Sequence, residues 1–514
     1  MNIGELIALS SKHYARQDAV VFEDKTYTYR EVNERVNRLA NALLGLSLNK
    51  GDRVALLLHN CNQYIESDFA MAKAGLVRVS LNTRLTADDH KCVLADSEAS
   101  ALIFESCFLD TVMDLARSSA SLKHLICVGD KKGPFLYYEE LIKSGSPSEP
   151  ETAVFEDDIH ALVYTSGTSG KPKGVMLTHK NILSVIINLL MERDVRREDR
   201  MLHVGPLTHA SGVWVLPHFI KGAVNIIHKR FDIELLLKTI QEEKITTVMM
   251  VPTMILRLLA YPGIDNYHIG SLRSLIYGGS PMPAEKIKEA ILRFGNIFSQ
   301  NYGQTEAPTT ITYLPREDYK ISGSAMEIKR LSSAGRPYIR VKVKVVNEEG
   351  AETCPGEIGE VIVKSDHVMK GYWKNDQATK EKIVNGWLYT GDMATFDDEG
   401  FLYIVDRKND LIISGGFNIY PREIEEIIYS HPAVEEAAVI GVPDDQWVEA
   451  VKAVVVLKQG KTVTEEELIS FCKKSLASMK APKSIEIVND LPKNPYGKIM
   501  KKELKAKYWH QHKA

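Results

Sequence analysis

The segment Tyr164-Thr-Ser-Gly-Thr-Ser-Gly-Lys-Pro-Lys-Gly-Val175 carries three Gly, four Ser or Thr and two Lys within twelve residues. Glycines let backbone N–H groups crowd round an anion, hydroxyls add hydrogen bonds and lysines add charge. The pattern is that of a polyphosphate cradle, with Thr165, Ser166, Gly167, Thr168, Ser169, Gly170, Lys171 and Lys173 as its contacts. A flexible Gly/Ser linker, the ordinary alternative, leaves the paired lysines unexplained. The segment is not a Walker A loop, which needs four residues between its first Gly and a Gly-Lys pair followed by Ser or Thr. Here Thr168 and Ser169 alone separate Gly167 from Gly170, and Lys171 precedes Pro172. Proline has no N–H to donate and does not continue a helix. Spacing therefore excludes a P-loop kinase or GTPase.

Further polar strings follow in order. They are Pro206-Leu-Thr-His-Ala-Ser-Gly212, Tyr277-Gly-Gly-Ser-Pro281, Asn301-Tyr-Gly-Gln-Thr-Glu306 and Trp387-Leu-Tyr-Thr-Gly-Asp392. After them come Asp406-Arg-Lys-Asn-Asp-Leu-Ile-Ile-Ser-Gly-Gly-Phe-Asn418 and Leu491-Pro-Lys-Asn-Pro-Tyr-Gly-Lys-Ile499. Together with the glycine loop, these strings resemble the adenylate-forming superfamily of acyl-CoA synthetases, firefly luciferases and peptide-synthetase adenylation domains. The resemblance runs over nearly the whole chain, from Tyr27 to Leu504.

The resemblance implies an AMP-forming acid–CoA ligase that uses ATP, Mg2+ and coenzyme A and passes through an acyl-adenylate. It implies His209 beside the acyl pocket, and Gly278, Gly279, Ser280, Asn301, Tyr302 and Gly303 along the nucleotide and acyl group. Thr305 would contact the α-phosphate and carboxylate, and Glu306, with Thr165, would hold Mg2+. A hard cation needs anionic oxygen, and bridges to phosphates while keeping several waters. Asp392 and Arg407 would hold the ribose; a carboxylate has two acceptor oxygens for two hydroxyls. Asn409 stands at the hinge, where the family usually has Asp or Lys, and Asn tolerates unusual backbone angles. Ser414, Gly415 and Gly416 would line the pantetheine tunnel, next to Phe417, where Glu, His or Tyr is usual. Lys498 matches the catalytic lysine, and its compact ammonium suits charge developing at phosphorus.

The acyl pocket is expected from Val213, Trp214, Thr253, Gly278–Ser280 and Tyr302–Pro308, including Ala307, and these segments carry no Arg or Lys. A second carboxylate on the substrate lacks a partner there. The expected small-molecule carboxylic acid is a medium- or long-chain fatty acid first, an aromatic or cyclic acid second. Trp214 either shortens the pocket or is ordinary core. A carrier-protein acceptor is an alternative, although no carrier domain is fused. Luciferase-like chemistry shares the same motifs, and a non-catalytic protein would be expected to lose Lys498 or Glu306.

Elements must position these residues. Strand-like runs at Arg53–Leu58, Val77–Leu81, Leu162–Tyr164, Thr247–Val251 and Leu275–Tyr277 alternate with helical patterns at Phe69–Ala74 and Met282–Phe294. Alternation of this kind predicts α/β layers with parallel strands. Pro283 is placed in the first helical turn, and Thr178 caps a helix beginning near Asn181. After about Ser332 the pattern becomes β-rich, with strands at Val341–Val346, Glu357–Val363 and Phe401–Val405. The fold class is therefore α/β. A large N-terminal domain of layered α/β subdomains plus a β-rich subdomain spans 1–405, 406–410 is the hinge, and a small mobile α+β domain spans 411–514.

With 514 residues, 25% charged and a net charge of −3, nothing calls for nucleic acid. No transmembrane run and no secretory signal in Met1–Val20 are seen, so a cytoplasmic location is expected. The six scattered cysteines point to reduced thiols rather than disulfides or zinc. A homodimer rests on analogy with the family alone.

Overall fold

The computed structural model describes all residues except 132, 166–171, 415–416, 445–446, 478, 494–498 and 512–514. Four sheets of nine, eight, five and five strands organise these residues. In the eight-stranded sheet, Arg53–Leu57 lies between Val77–Ser80 and Ala101–Glu105, parallel to both. Its strands are buried on both faces, as parallel sheets covered by helices are. Near one edge of this sheet lies an antiparallel hairpin of Ile159–Thr165 and Lys173–Thr178, in which Thr165 pairs with Lys173, and Gly371–Tyr372 forms the edge beyond it. The two residues therefore stand at the two feet of the glycine-rich loop.

The nine-stranded sheet carries a parallel run of Val224–Ile227, Arg200–His203, Thr247–Met250, Ser274–Gly278 and Phe298–Gln304. Ala307–Leu314 then pairs antiparallel to Phe298–Gln304. Apolar side chains from these strands and the helices over them, such as Leu236, Val248, Ile255 and Ile287, form one buried cluster. Helix Ala284–Phe294 follows the expected periodicity but starts two residues later than read, with Pro283 as its cap rather than in its first turn. Helix His179–Glu192 begins before Asn181. Thr178 Oγ1 accepts from Asn181 N while Asn181 Oδ1 accepts from Thr178 N, a reciprocal cap.

Lys342–Val346, Gly359–Lys364, Trp387–Phe396 and Leu402–Arg407 belong to an antiparallel third sheet. The turn Lys408–Asp410 follows, and Ile412–Ser414 joins a fourth sheet with Phe417–Ile419, Val434–Asp444, Val448–Leu457 and Ser484–Val488. The change of sheet falls at 408–410, inside the charged stretch. Asn409 there is exposed and does not adopt a positive φ. No described helix is long and apolar enough to cross a membrane.

Several core histidines are held neutral. Burial lowers His203, His228 and His367 to about 4. At His367 neither ring nitrogen has a hydrogen-bond partner among the described residues, and Asp366 offsets the burial only in part. Unfolded imidazole titrates near ~6.5. Between that value and 4 the unfolded chain therefore binds more protons than the folded one, and stability falls as pH drops through this window. Each such histidine contributes up to about 1.4 kcal/mol per pH unit there. We expect urea midpoints to fall from pH 7 to pH 5, and His367→Leu to flatten that slope. An unchanged slope would show that His367 titrates alike in the folded and the unfolded protein.

Candidate active site

Every described motif of the nine-stranded sheet lies at the carboxyl end of a parallel strand, where α/β sheets form their ligand crevices. The segment 206–212 follows Arg200–His203, and Thr253 sits in helix Pro252–Leu259, which follows Thr247–Met250. Gly278 closes its strand and is followed by Gly279 and Ser280. Thr305 and Glu306 form the two-residue turn between Phe298–Gln304 and Ala307–Leu314, with Gln304 and Ala307 paired across it.

Two close approaches require glycine. A Cβ on Gly278 would stand 2.5 Å from the Asn301 carbonyl oxygen, and one on Gly303 would stand 2.4 Å from Thr309 N. Thr309 itself has φ 59°, unusual for a β-branched residue. Such strain costs about 1–3 kcal/mol and gathers at functional sites.

Glu306 is 9% exposed and makes no salt bridge among the described residues. Tyr372 OH donates to its Oε1 at 2.8 Å, and Met369 N donates to its backbone carbonyl at 2.8 Å. A nearly buried carboxylate with one oxygen left for a ligand, and no cation already paired with it, fits a hard divalent ion. Lys173 reaches the same place from the loop's exit strand, with Nζ 5.2 Å from the centre of the Tyr372 ring.

Asp392 and Arg407 are direct cross-strand neighbours, with Nε 2.7 Å from Oδ1. Tyr302 OH donates to the other oxygen, Oδ2, at 2.6 Å. Burial and then the Asp392 carboxylate push the Tyr302 phenol well above its usual range, so it remains a donor. Asn301 turns inward: its amide donates to Tyr338 OH at 2.7 Å and to Thr309 O at 3.3 Å, and its Oδ1 accepts from Arg193. It anchors the strand that carries Tyr302 and Thr305.

His209 Nδ1 lies 2.7 Å from Thr208 Oγ1. Burial, then Arg78 and Arg84, lower its pKa to about 4, so this wall of the crevice is a neutral imidazole at pH 7. Asn60 fixes the segment, with its Oδ1 accepting from Leu207 N and its amide donating to Gly205 O. Ala307 and Trp214 are buried in one apolar cluster with Met249 and Ile276, while Val213 and Thr253 are partly exposed. Arg193 lies 5.8 Å from the centre of the Trp214 ring.

Ser414 is buried and pairs with Phe417 and Val448, and the Phe417 side chain is half exposed. Ser166, Gly167, Thr168, Ser169, Gly170, Lys171, Gly415, Gly416 and Lys498 lie outside the described residues.

Sequence reasoning missed Tyr372 and Lys382. Lys382, at the end of helix Asp376–Lys382, has Nζ 3.7 Å from where a Cβ on Gly391 would stand. Burial lowers its pKa, against the pull of Glu306 and Glu360, and no described residue forms an ion pair or hydrogen bond with it. As one lysine among many in a charged helix, it carried no local signal.

An α/β crevice with the two strands that flank the glycine-rich segment, a buried carboxylate and a tied Tyr–Asp–Arg set defines a nucleotide-handling enzyme. Residues 8–373 match the family described as AMP-binding enzyme, and residues 423–498 match its C-terminal domain. The chain belongs to this adenylate-forming family and is an acid–thiol ligase of the AMP-forming type. It is 39% identical over 483 residues to a feruloyl-CoA synthase of Amycolatopsis sp, covering 94% of each chain. It is 36% identical over 511 residues to a long-chain-fatty-acid–CoA ligase of Mycobacterium tuberculosis, covering 99% of this chain and 98% of that one. Among solved structures, ATP-bound MatB from Rhodopseudomonas palustris superposes with TM-score 0.89 at 30% identity, over 99% of both chains.

Proposed function

We propose that this enzyme adenylates an aryl carboxylic acid with ATP and transfers the aryl-acyl group to coenzyme A. The observation that carries the choice of acid is Trp214. It is 1% exposed and packed in the apolar cluster that holds Ala307, so a large rigid ring occupies space a long alkyl chain would need. A flat aryl body beside neutral His209 suits such a pocket, and feruloyl-CoA synthase relatives agree with this. The second reading, a fatty acid, is favoured by the fatty-acid–CoA ligase relatives.

In the first half-reaction the carboxylate attacks the α-phosphate of ATP and pyrophosphate leaves. A carboxylate is a weak nucleophile, so positioning and charge neutralisation supply most of the catalysis. Thr165, Lys171 and Lys173 bind the polyphosphate, Thr305 orients the reacting groups, and Asp392 offers its oxygens to the ribose hydroxyls. Glu306 and Thr165 would hold Mg2+, which when bound neutralises the leaving pyrophosphate. Lys498 stabilises the charge developing at phosphorus. In the second half-reaction the domain 411–514 turns about Asn409, Lys498 withdraws, and the loop at Ser414, Gly415 and Gly416 admits the thiol. One crevice thus serves two chemistries through a domain motion.

The test is AMP and pyrophosphate release with a panel of ferulate, cinnamate, benzoate, octanoate and palmitate, with and without CoA. CoA-dependent turnover led by the aryl acids supports the proposal, and turnover led by palmitate replaces it with the fatty-acid reading. Adenylation without CoA-dependent turnover moves the acceptor to a carrier protein. Trp214→Leu is expected to shift the octanoate-to-ferulate ratio of kcat/KM by about 10-fold or more toward octanoate, since one or two methylenes of pocket space are worth that much. An unchanged ratio would place Trp214 outside the acyl pocket.

A further inference from the structure

We infer that Tyr372 is a positioning residue for the Glu306 carboxylate, and that the short segment 369–373 braces the carboxylate and the phosphate-loop strand into one unit. This rests on the ligase reading above and deepens it.

The segment touches both parts directly. Toward Glu306, Met369 N donates to its backbone carbonyl at 2.8 Å and Tyr372 OH donates to its Oε1 at 2.8 Å. Toward the loop's exit strand, Gly371 and Tyr372 pair with Met176 and Val175. Lys370 N donates to Met176 O at 3.0 Å, and Trp373 N donates to Gly174 O at 2.7 Å. Lys173, the first residue of that strand, lies against the Tyr372 ring.

The brace is itself anchored from behind. Tyr372 N donates to Thr379 Oγ1 at 2.8 Å, and Trp373 Nε1 donates to Asp96 O at 3.1 Å. Tyr372 is 5% exposed, so its hydroxyl bond is shielded from water. Glu306 sits on a hairpin tip of the nine-stranded sheet, and Lys173 begins the strand of the eight-stranded sheet that pairs with the edge strand Gly371–Tyr372. Segment 369–373 makes direct hydrogen bonds to both.

The chemical consequence follows from the oxygen count. With Oε1 held by a phenol that can only donate to it, the carboxylate keeps one rotamer and presents Oε2 to a ligand. Groups that orient a metal-binding side chain in this way typically change metal affinity by about 10–100-fold when removed. A purely structural tyrosine would change folding stability and leave that affinity alone.

The experiment is Tyr372→Phe, which removes only the hydroxyl, in the full chain. Mn2+ binding in the presence of the non-hydrolysable analogue α,β-methylene-ATP is read from the EPR signal of free Mn2+. We expect the Mn2+ affinity to fall by about 10-fold, the Mg2+ needed for half-maximal pyrophosphate release to rise by a similar factor, and the KM for the acid to stay unchanged. Glu306→Gln combined with Tyr372→Phe should bind Mn2+ no worse than Glu306→Gln alone, because the tyrosine acts through the carboxylate. Unchanged Mn2+ affinity in Tyr372→Phe, or additive losses in the double variant, would overturn the inference. If Tyr372→Phe folds poorly, Trp373→Phe tests the brace instead: loss of the Trp373 Nε1 bond should weaken Mn2+ affinity while the KM for the acid stays unchanged, and unchanged Mn2+ affinity would overturn the brace. Failure of the wild-type chain to bind Mn2+ with the analogue would count against the ligase reading itself rather than against the brace.

Discussion

Glu306→Gln is expected to slow adenylate formation by about 10²–10³-fold, measured as pyrophosphate release in a single turnover with saturating acid and ATP. The reasoning starts from what the substitution preserves. The amide has nearly the same size, and its oxygen still accepts from Tyr372 OH, so the turn Thr305–Glu306 and its pairing of Gln304 with Ala307 remain. What disappears is the negative charge on a side chain 9% exposed and without a salt bridge among the described residues. A neutral amide is a poor ligand for a hard divalent ion, which prefers carboxylates. The loss should therefore appear in the rate and in Mg2+ dependence rather than in thermal stability. A variant with wild-type turnover would remove Glu306 from the metal site. A variant that loses activity together with its thermal transition would make Glu306 a folding residue.

Lys498→Ala is expected to abolish adenylation, with a loss of at least about 10²-fold, while sparing thioester formation from supplied acyl-adenylate. Its ammonium is a point charge on a flexible stem, suited to follow the charge that develops at phosphorus. On the proposed mechanism it has no part in the second step, in which the C-terminal domain turns and brings the Ser414 loop to the crevice. Measuring the two half-reactions separately decides the matter. Equal loss in both would mean that Lys498 supports the domain rather than the first transition state.

Lys382 is a further lysine without a described partner, next to Gly391 and within reach of the field of Glu306. A Cβ at 391 would stand an ordinary 3.7 Å from Lys382 Nζ, so backbone conformation rather than crowding accounts for the glycine there. Gly391 adopts φ 77°, which only glycine accepts readily.

Much of this was legible from residue types in a row. The glycine loop announced an anion site by its hydroxyls, lysines and glycines. The alternation of apolar strands with helical periodicity predicted parallel layers, and Arg53–Leu57, Thr247–Met250 and Ser274–Gly278 lie where it placed them. These readings succeed because they depend on local repeats, a period of about two residues for strands and 3.6 for helices. Helix starts were less well defined, by two residues both at Pro283 and at Thr178, because caps are decided by a few hydrogen bonds rather than by periodicity.

What the sequence determined by itself was the chemistry available: the order of the motifs and the identity of Glu306, Asp392, Arg407 and Lys498. What only the tertiary structure decided was how those groups are held. Tyr372 lies 66 residues from the Glu306 it binds, and Tyr302 lies 90 residues from the Asp392 it binds. Arg407 meets Asp392 only because two strands pair in one register. Trp214 joins the cluster of Ala307 through the packing of helices over the sheet. Such contacts leave no periodic trace along the chain, since a hydrogen bond across a buried crevice depends on where whole strands and helices pack, and that is settled by the burial of apolar surface far from the site itself.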